Sequence, residues 1–395
     1  MSQGLRRSIG PIALSLYGIG VTIGAGIFVL LGETVRVAGH GAPLSFVLAG
    51  LVAALSALTY IDLSSRYPVS SGEAVYVRQA WRSARLSQLV GFGVVAVGVL
   101  SSATILQGFA GYAGVLTGLP GWLTQPVVMA GLILIAIAGV RESVWTAGLL
   151  TLLELGILIF VIAAAAPAAL SAPGSAGPGF PVLGLFSGAA IAFFAFIGFE
   201  DIVNLAEEVR QPRKSLPIAI GLTLGVSTLI YVLLVGVAVR AVDLKALAAS
   251  ADPLVEILRA SDSPHTRLIG SLSVFAILNG ALIQIIMASR VLYGMARTGD
   301  APDRLSRLMP RRRTPYIAIL LSGCAVLLLA LTLPLGNLAR MTSFVTLSIF
   351  LLMNLSLLRL RRLTPDPDAG FRAPTWVPWF GAAFCLILMG FAALS

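Results

Sequence analysis

Long apolar runs alternate with short polar segments along almost the whole chain. Each run spans about 20 residues or more, which is the length that a helix needs to cross a bilayer. The strands of a membrane barrel would instead alternate apolar and polar residues over about ten positions. The pattern therefore predicts eleven transmembrane helices, at about 9–31, 42–65, 87–117, 122–140, 143–170, 182–206, 215–239, 267–296, 315–333, 338–358 and 376–394.

Composition places these runs in a membrane. Of the 395 residues, 57% are apolar and only 11% are charged, and the mean hydropathy is +0.95. A soluble domain carries about 25% charged residues. We therefore interpret residues 1–395 as a single all-α, multi-pass membrane domain. The first run is longer than the apolar core of a signal peptide and lacks a small-residue cleavage site, so we expect it to remain as the first span.

The basic residues predict the orientation. With a cytoplasmic amino terminus, most of the 27 Lys and Arg residues fall in inner connections, most densely around 297–313, as the positive-inside rule requires. One missed helix would scramble this asymmetry, so the sequence predicts a cytoplasmic (inner) membrane protein with an external carboxyl terminus. The net charge of +10 is then explained without a nucleic acid partner.

Two spans carry residues that disturb a regular helix. The first has four glycines between Gly18 and Gly26, and Gly weakens a helix interior by up to about 1 kcal/mol against Ala. Close helix packing through small residues is the alternative explanation. The sixth span places Glu200 and Asp201 after Gly198, and a carboxylate at this depth indicates a functional site.

The two disturbed spans lie five spans apart. Interrupted helices at matching places in two halves of opposite topology are typical of inverted-repeat transporters with a site at the membrane midplane. The predicted fold is a ten-helix 5+5 inverted-repeat core with discontinuous helices 1 and 6, plus one additional C-terminal transmembrane helix. The repeats would cover about 9–170 and 182–358, and the additional helix about 376–394.

Four segments resemble the amino acid/polyamine/organocation superfamily, whose ten-helix fold is also called the LeuT fold. They are Gly24 to Phe28, Ser64 to Glu73, Phe194 to Pro217 (FAFIGFEDIVNLAEEVRQPRKSLP), and Met287 to Arg297. Together they span most of the chain. The sequence looks most similar to bacterial permeases related to cationic amino acid transporters.

This resemblance implies that a zwitterionic substrate binds between the two interrupted helices. Its carboxylate would lie on backbone N–H groups freed at the first interruption, and its ammonium on carbonyls freed at the second. The implied substrate-binding residues are Thr22, Ile23, Gly24, Ala25, Gly26, Phe194, Ala195, Phe196 and Ile197.

Side-chain selectivity is expected from the third, eighth and tenth spans. A loose family alignment points to Ser102 and Gln284, with Gly98, Ile105 and Ser343 as further lining positions. Ordinary interhelical packing is the alternative for each of these residues. Phe194 matches a family position where an aromatic side chain covers the bound substrate.

Two buried acids are candidates for coupling or gating. Glu200 would either orient freed N–H groups or take up a proton. Glu154 lies in the fifth span where several proton-coupled relatives carry a Lys, and this charge reversal puts the lysine mechanism in doubt. Glu154 would donate a hydrogen bond while protonated, cycle a proton, hold a sodium ion, or be structural.

The sequence therefore predicts a secondary active transporter for an amino acid, working as a proton-coupled symporter or an exchanger. The same fold with an amine, polyamine or ethanolamine substrate is the first alternative. A membrane-embedded enzyme or channel is a remote one, because the only histidines, His40 and His265, fall in external loops. No catalytic residue, metal or cofactor is expected. Partner subunits are not predicted either way.

Overall fold

Helices account for nearly all of the structure. The computed structural model describes residues 9–24, 26–67, 72–138, 144–172, 182–205, 209–310, 312, 314–364 and 370–394. Its α-helices are α1 (Pro11–Ile23), α2 (Gly26–Ala38), α3 (Ala42–Arg66), α4 (Gly72–Trp81), α5 (Ala84–Thr117), α6 (Gly121–Ala138), α7 (Val144–Ser171), α8 (Val182–Ala192), α9 (Pro212–Ala241), α10 (Leu244–Ala249), α11 (Pro253–Ala260), α12 (Thr266–Arg297), α13 (Tyr316–Thr332), α14 (Leu335–Leu363) and α15 (Val377–Leu394).

The predicted all-α, multi-pass class is confirmed. Each of the eleven apolar runs is mostly helical over its described residues. Eight helical segments among these residues are long and apolar enough to cross a membrane, and three shorter apolar helices match α1, α13 and α15. We call the end at which α2 ends and α14 begins the outer end, after the orientation that the arginine distribution predicts.

The outside of the helix bundle suits a bilayer. Large apolar side chains such as Val127, Leu149 and Leu328 are exposed along it. Trp122 and Trp379 are exposed near the first residues of α6 and α15, and Trp is enriched at membrane–water interfaces.

Close packing explains two of the first span's glycines. A Cβ on Gly18 would overlap Ile202 and Thr223, and one on Gly20 would overlap Thr151 of α7. Thr151 Oγ1 also donates to the Leu16 carbonyl at 3.0 Å. The alternative explanation, close helix packing through small residues, is therefore correct at Gly18 and Gly20, where α1 packs directly on its neighbours.

Asp62 ties three elements together at the inner end. Its carboxylate accepts from Arg66, four residues later on the same helix, at 2.8 Å. It also accepts from Arg361 of α14 and from the Ala373 N–H at 3.0 Å. Asp62 is completely buried, so α3, α14 and the segment before α15 share one ionic contact.

The outer connection between α9 and α12 contains a short helix, α11, which begins directly after Asp252. Asp252 caps α11, because its Oδ1 accepts from the Val255 N–H at 3.1 Å, and Pro253 occupies the first turn. Leu254, Ile257 and Leu258 are buried against the bundle. The segment is therefore a packed helix and not a solvated loop.

Candidate functional site

The first span is interrupted at its glycines. α1 ends at Ile23, and Gly24 leaves helical geometry with φ 0° and ψ −115° while its N–H still donates to the Gly20 carbonyl at 2.9 Å. α2 begins at Gly26. Ala25 lies outside the described residues.

The sixth span is interrupted more extensively. α8 ends at Ala192, and a 3₁₀ turn over Phe193–Phe196 follows. Ile197 is extended, and Gly198 has a φ of +121°, a value that favours glycine. A second 3₁₀ segment, Phe199–Leu205, then continues the chain. Glu200 Oε2 accepts from the Gly198 N–H at 2.8 Å, so this acid holds the turn.

The two interruptions cross each other in direct backbone contact. A Cβ on Gly26 would lie 2.6 Å from the Ala195 Cα, and one on Gly198 would lie 2.7 Å from a Val21 methyl carbon. Two reciprocal glycine contacts therefore bring the interrupted segments together, and larger side chains would separate them.

Tyr231 of α9 connects both interruptions. Its hydroxyl lies 2.9 Å from the Thr22 carbonyl oxygen and 2.9 Å from the Ala195 carbonyl oxygen. A hydroxyl has one proton, so it donates to one of these two carbonyls at a time. Our sequence reasoning missed this residue, although a Tyr inside an apolar span was a readable signal.

A small cavity of about 20 Å³ lies at the crossing. Five of its lining side chains are apolar, and Thr22, Ser101 and Gln284 supply polar groups. No charged side chain lines it among the described residues. The full lining is Val21, Thr22, Gly26, Ser101, Ile105, Phe194, Ile197, Gly280, Ile283 and Gln284.

The structure brings together about half of the predicted site. Thr22, Gly26, Phe194, Ile197, Gln284 and Ile105 line the cavity. Ile23, Gly24, Ala195 and Phe196 instead form the interruptions behind it.

The remaining lining candidates lie elsewhere. Ser102 donates to the Ala281 carbonyl of α12 at 3.3 Å. Its neighbour Ser101 faces the cavity instead, because successive residues of a helix point in different directions. Gly98 lines a different chamber, and Ser343 is buried, does not line the cavity, and forms no side-chain hydrogen bond within the described residues.

A second small chamber of about 30 Å³ lies on the inner side of the cavity, and Ile197 and Gln284 line both. Glu73 of α4, Glu200 and Asp201 supply three carboxyl groups to this inner chamber. Tyr60 OH donates to Glu73 Oε1 at 3.4 Å. The contribution of α4 was not predicted, because this helix falls between two apolar runs.

Glu154 of α7 is buried beside the first interruption. Its side chain is 1% exposed, and neither carboxyl oxygen forms a regular hydrogen bond within the described residues. Its polar neighbours are Asn279 of α12 and Tyr231. Thr151, one turn earlier, fixes this part of α7 to α1.

Comparison with known proteins gives one family. The model of a family described as "Amino acid permease" matches residues 14–395. The chain is also 30% identical to the branched-chain amino acid permease BcaP of Bacillus subtilis (strain 168), over 98% of this chain and 88% of that protein.

Two further relatives carry different names. The chain is 31% identical to "Cationic amino acid transporter 3, mitochondrial" of Arabidopsis thaliana, over 93% of this chain but only 64% of the plant protein. It is 30% identical to the methylthioribose transporter of Bacillus subtilis (strain 168), over 98% of this chain and 89% of that protein. These relatives are named for three different kinds of substrate.

Proposed function

Because this chain belongs to the amino acid permease family, we propose that it moves a neutral amino acid across the cytoplasmic membrane by alternating access at its two crossed interruptions. The protein is a membrane transporter and not an enzyme. The observation that carries the proposal is the reciprocal contact of Gly26 with Ala195 and of Gly198 with Val21. Transport then consists of movements of these segments around the cavity between them.

The 5+5 inverted repeat is part of this proposal. A two-fold axis between two repeats brings equivalent helices against each other. Three equivalences pack in this way: α3 on α9, α5 on α12, and α6 on α13, while the two interrupted spans meet through α2 and α8. This pairing supports a ten-helix core in which α15 is the additional helix.

A neutral, aliphatic amino acid suits the cavity best. Ile105, Phe194 and Ile283 surround it with apolar surface, and an unpaired charge there would be costly. The freed backbone groups still offer a zwitterion its two poles. Since BcaP is named as a branched-chain amino acid permease, L-leucine is the first probe.

A cationic substrate is the second candidate, because three carboxyl groups lie in the inner chamber next to the cavity. Uptake into proteoliposomes distinguishes these cases. We expect L-leucine to be accumulated, while its decarboxylated amine, 3-methylbutylamine, and L-lysine are not. Accumulation of L-lysine alone would favour the cationic candidate, and accumulation of the amine would overturn the carboxylate pole.

We assign proton coupling to Glu154 and turn stabilisation to Glu200. The Glu200 carboxylate already accepts from the Gly198 N–H, whereas the buried Glu154 carboxyl group has only the Asn279 amide beside it and accepts no backbone hydrogen bond within the described residues. A carboxyl group that lacks a fixed donor is free to bind and release a proton as α1 moves.

The test of coupling is Glu154→Gln in proteoliposomes. Accumulation driven by a pH gradient should disappear while exchange of labelled for unlabelled substrate persists. Glu256→Gln, which removes a surface carboxylate paired with Arg259 at 3.7 Å, is the matched control. Accumulation by Glu154→Gln under a pH gradient alone would rule out this assignment.

A further inference from the structure

The end of α12 and the connection that follows it hold the largest group of basic residues in the chain. Residues 290–313 contain seven Arg residues, no Lys and only two acids, Asp300 and Asp303. Four of these arginines are exposed at the inner end and form what we call the basic surface: Arg297, Arg304, Arg307 and Arg312. The excess of positive charge therefore lies where an anion outside the protein can reach it.

Within the described residues, no carboxylate neutralises the arginines of the basic surface, because every ion pair there involves other residues. Asp300 accepts from the Thr298 hydroxyl at 2.9 Å instead. The Arg297 guanidinium lies over the ring of Tyr293, 5.9 Å from its centroid. The guanidinium donors of the basic surface therefore remain available to a partner outside the chain.

The basic surface lies on a folded platform. A 3₁₀ turn, Asp303–Ser306, buries Leu305 against α12 and α13. Beyond the arginines, Thr314 Oγ1 donates to the Ile137 carbonyl at the end of α6 at 2.7 Å. Binding of an anion to the described part of this connection therefore has a smaller ordering cost than binding to a free loop.

Phospholipid headgroups are the anions that lie closest to this surface. The surface begins at Arg297, the last residue of the membrane-spanning helix α12, and groups of basic residues directly beyond a span typically bind anionic lipids. The planar guanidinium group of Arg matches two oxygens of one phosphate. Leu308, next to Arg307, is 38% exposed, and an apolar side chain at this level suits the acyl region beneath the headgroups.

We propose that the basic surface is a binding site for anionic phospholipid, with its guanidinium groups on the headgroup phosphate and Leu308 against the acyl chains. A phosphatidylcholine headgroup also carries a phosphate, but the arginines repel its choline cation. Phosphatidylglycerol has no such cation and fits the surface better. The site is separate from the cavity at the crossing, so it does not depend on which substrate is transported.

The test is binding of fluorescent phospholipids to the purified full-length protein in a neutral detergent. We expect phosphatidylglycerol to bind at least about tenfold more tightly than phosphatidylcholine, since several arginines act on one headgroup. The triple variant Arg304→Gln, Arg307→Gln, Arg312→Gln should reduce this preference to about twofold or less, because Gln lacks the charge and the planar fork of donors. In 1 M NaCl the wild-type protein should lose the preference as well, because the Debye length falls to about 3 Å.

The matched control is the triple variant Lys245→Gln, Arg259→Gln, Arg267→Gln, which removes three exposed cations at the outer end. It should keep the wild-type preference for phosphatidylglycerol. An unchanged preference in the inner triple variant, or no preference in the wild-type protein, overturns the proposal. A wild-type preference that persists in 1 M NaCl overturns it without recourse to any variant. Displacement of the lipid by an equal concentration of glycerol 1-phosphate would assign the surface to a free phosphate ester and not to a lipid.

Discussion

Gly26 lies where the start of α2 meets the second interruption, and the backbone of Ala195 occupies the place of a Cβ. Gly26→Ala should reduce substrate affinity about tenfold or more, because overpacking of about 1–3 kcal/mol forces the crossing apart. Binding of the labelled substrate to purified protein measures this loss. Gly131→Ala is the control, since no atom lies within 4 Å of the added Cβ. Wild-type affinity in Gly26→Ala would place the substrate elsewhere.

Tyr231→Phe tests whether the hydroxyl shared by two carbonyls sets the geometry of the site. Removing it leaves the Thr22 and Ala195 carbonyls without this donor, at a cost of about 1–3 kcal/mol for a buried group. We expect the transport rate to fall about tenfold while the amount of inserted protein is unchanged. Tyr293→Phe, on the partly exposed face of α12, should transport normally. Equal rates for the two variants would contradict the role of Tyr231.

At the residue scale, the sequence identified the glycines but not their partners. Gly26 and Gly198 stand out because glycine weakens the interior of a helix and is therefore unexpected inside an apolar span. Tyr231 is visible as a Tyr inside an apolar span, but its contacts, like those of Ser101, depend on which way one helix face points after packing. A rotation by one residue separates Ser101 from Ser102, and sequence pattern alone does not fix rotation within a long apolar helix.

At the element scale, substitution of Asp62 tests how strongly the stability of the inner end depends on one carboxylate. Asp62→Asn leaves Arg66 and Arg361, both buried, without their charge partner, and breaking a buried ion pair costs about 3–5 kcal/mol. The melting temperature in detergent should fall clearly. Glu256→Gln, at an exposed pair, should cost less than about 1 kcal/mol. A small effect of Asp62→Asn would mean that this contact does not join α3 to α14.

The carboxyl group of Asp252, which caps α11, makes the stability of the protein depend on pH. Burial raises the pKa of Asp252 from 3.8 to about 6 despite the hydrogen bond from the Val255 N–H and the charge of Arg259, while Glu256 adds to the rise. A raised carboxyl pKa favours the folded state most below pH 3.8, and this contribution is lost as the pH rises through about 6.

The corresponding variant is Asp252→Asn, which keeps a capping side chain but cannot titrate. Relative to this variant, the wild-type protein should lose on the order of 2–3 kcal/mol of stability between pH 4 and pH 7. Melting in detergent across this range measures the difference. Parallel curves for the two proteins would show that Asp252 is not perturbed.

Helices were predictable from sequence to different degrees. The bilayer demands about 20 apolar residues for each crossing, so α5, α9 and α12 are evident from hydropathy. α4 and α10 are short and amphipathic or polar, and their packing depends on contacts made by other parts of the chain. This is why Glu73, which α4 brings to the inner chamber, was not included in the predicted site.

At the scale of the whole molecule, the eleven proposed spans would place the two termini on opposite sides of the membrane. Arg359, Arg361, Arg362 and Arg372 precede α15, so the positive-inside rule predicts that residues 359–372 lie in the cytoplasm and that α15 leads outward. Fusions to two reporters test this arrangement, since green fluorescent protein matures only in the cytoplasm and alkaline phosphatase is active only outside. Fused after Ser395, the phosphatase should be active and the fluorescent protein dark. Fused after Thr364, which lies before α15, the same reporters should give the opposite pattern. Fluorescence at both positions would mean that α15 does not cross the membrane, and the proposed ten-helix core would then lack its additional helix.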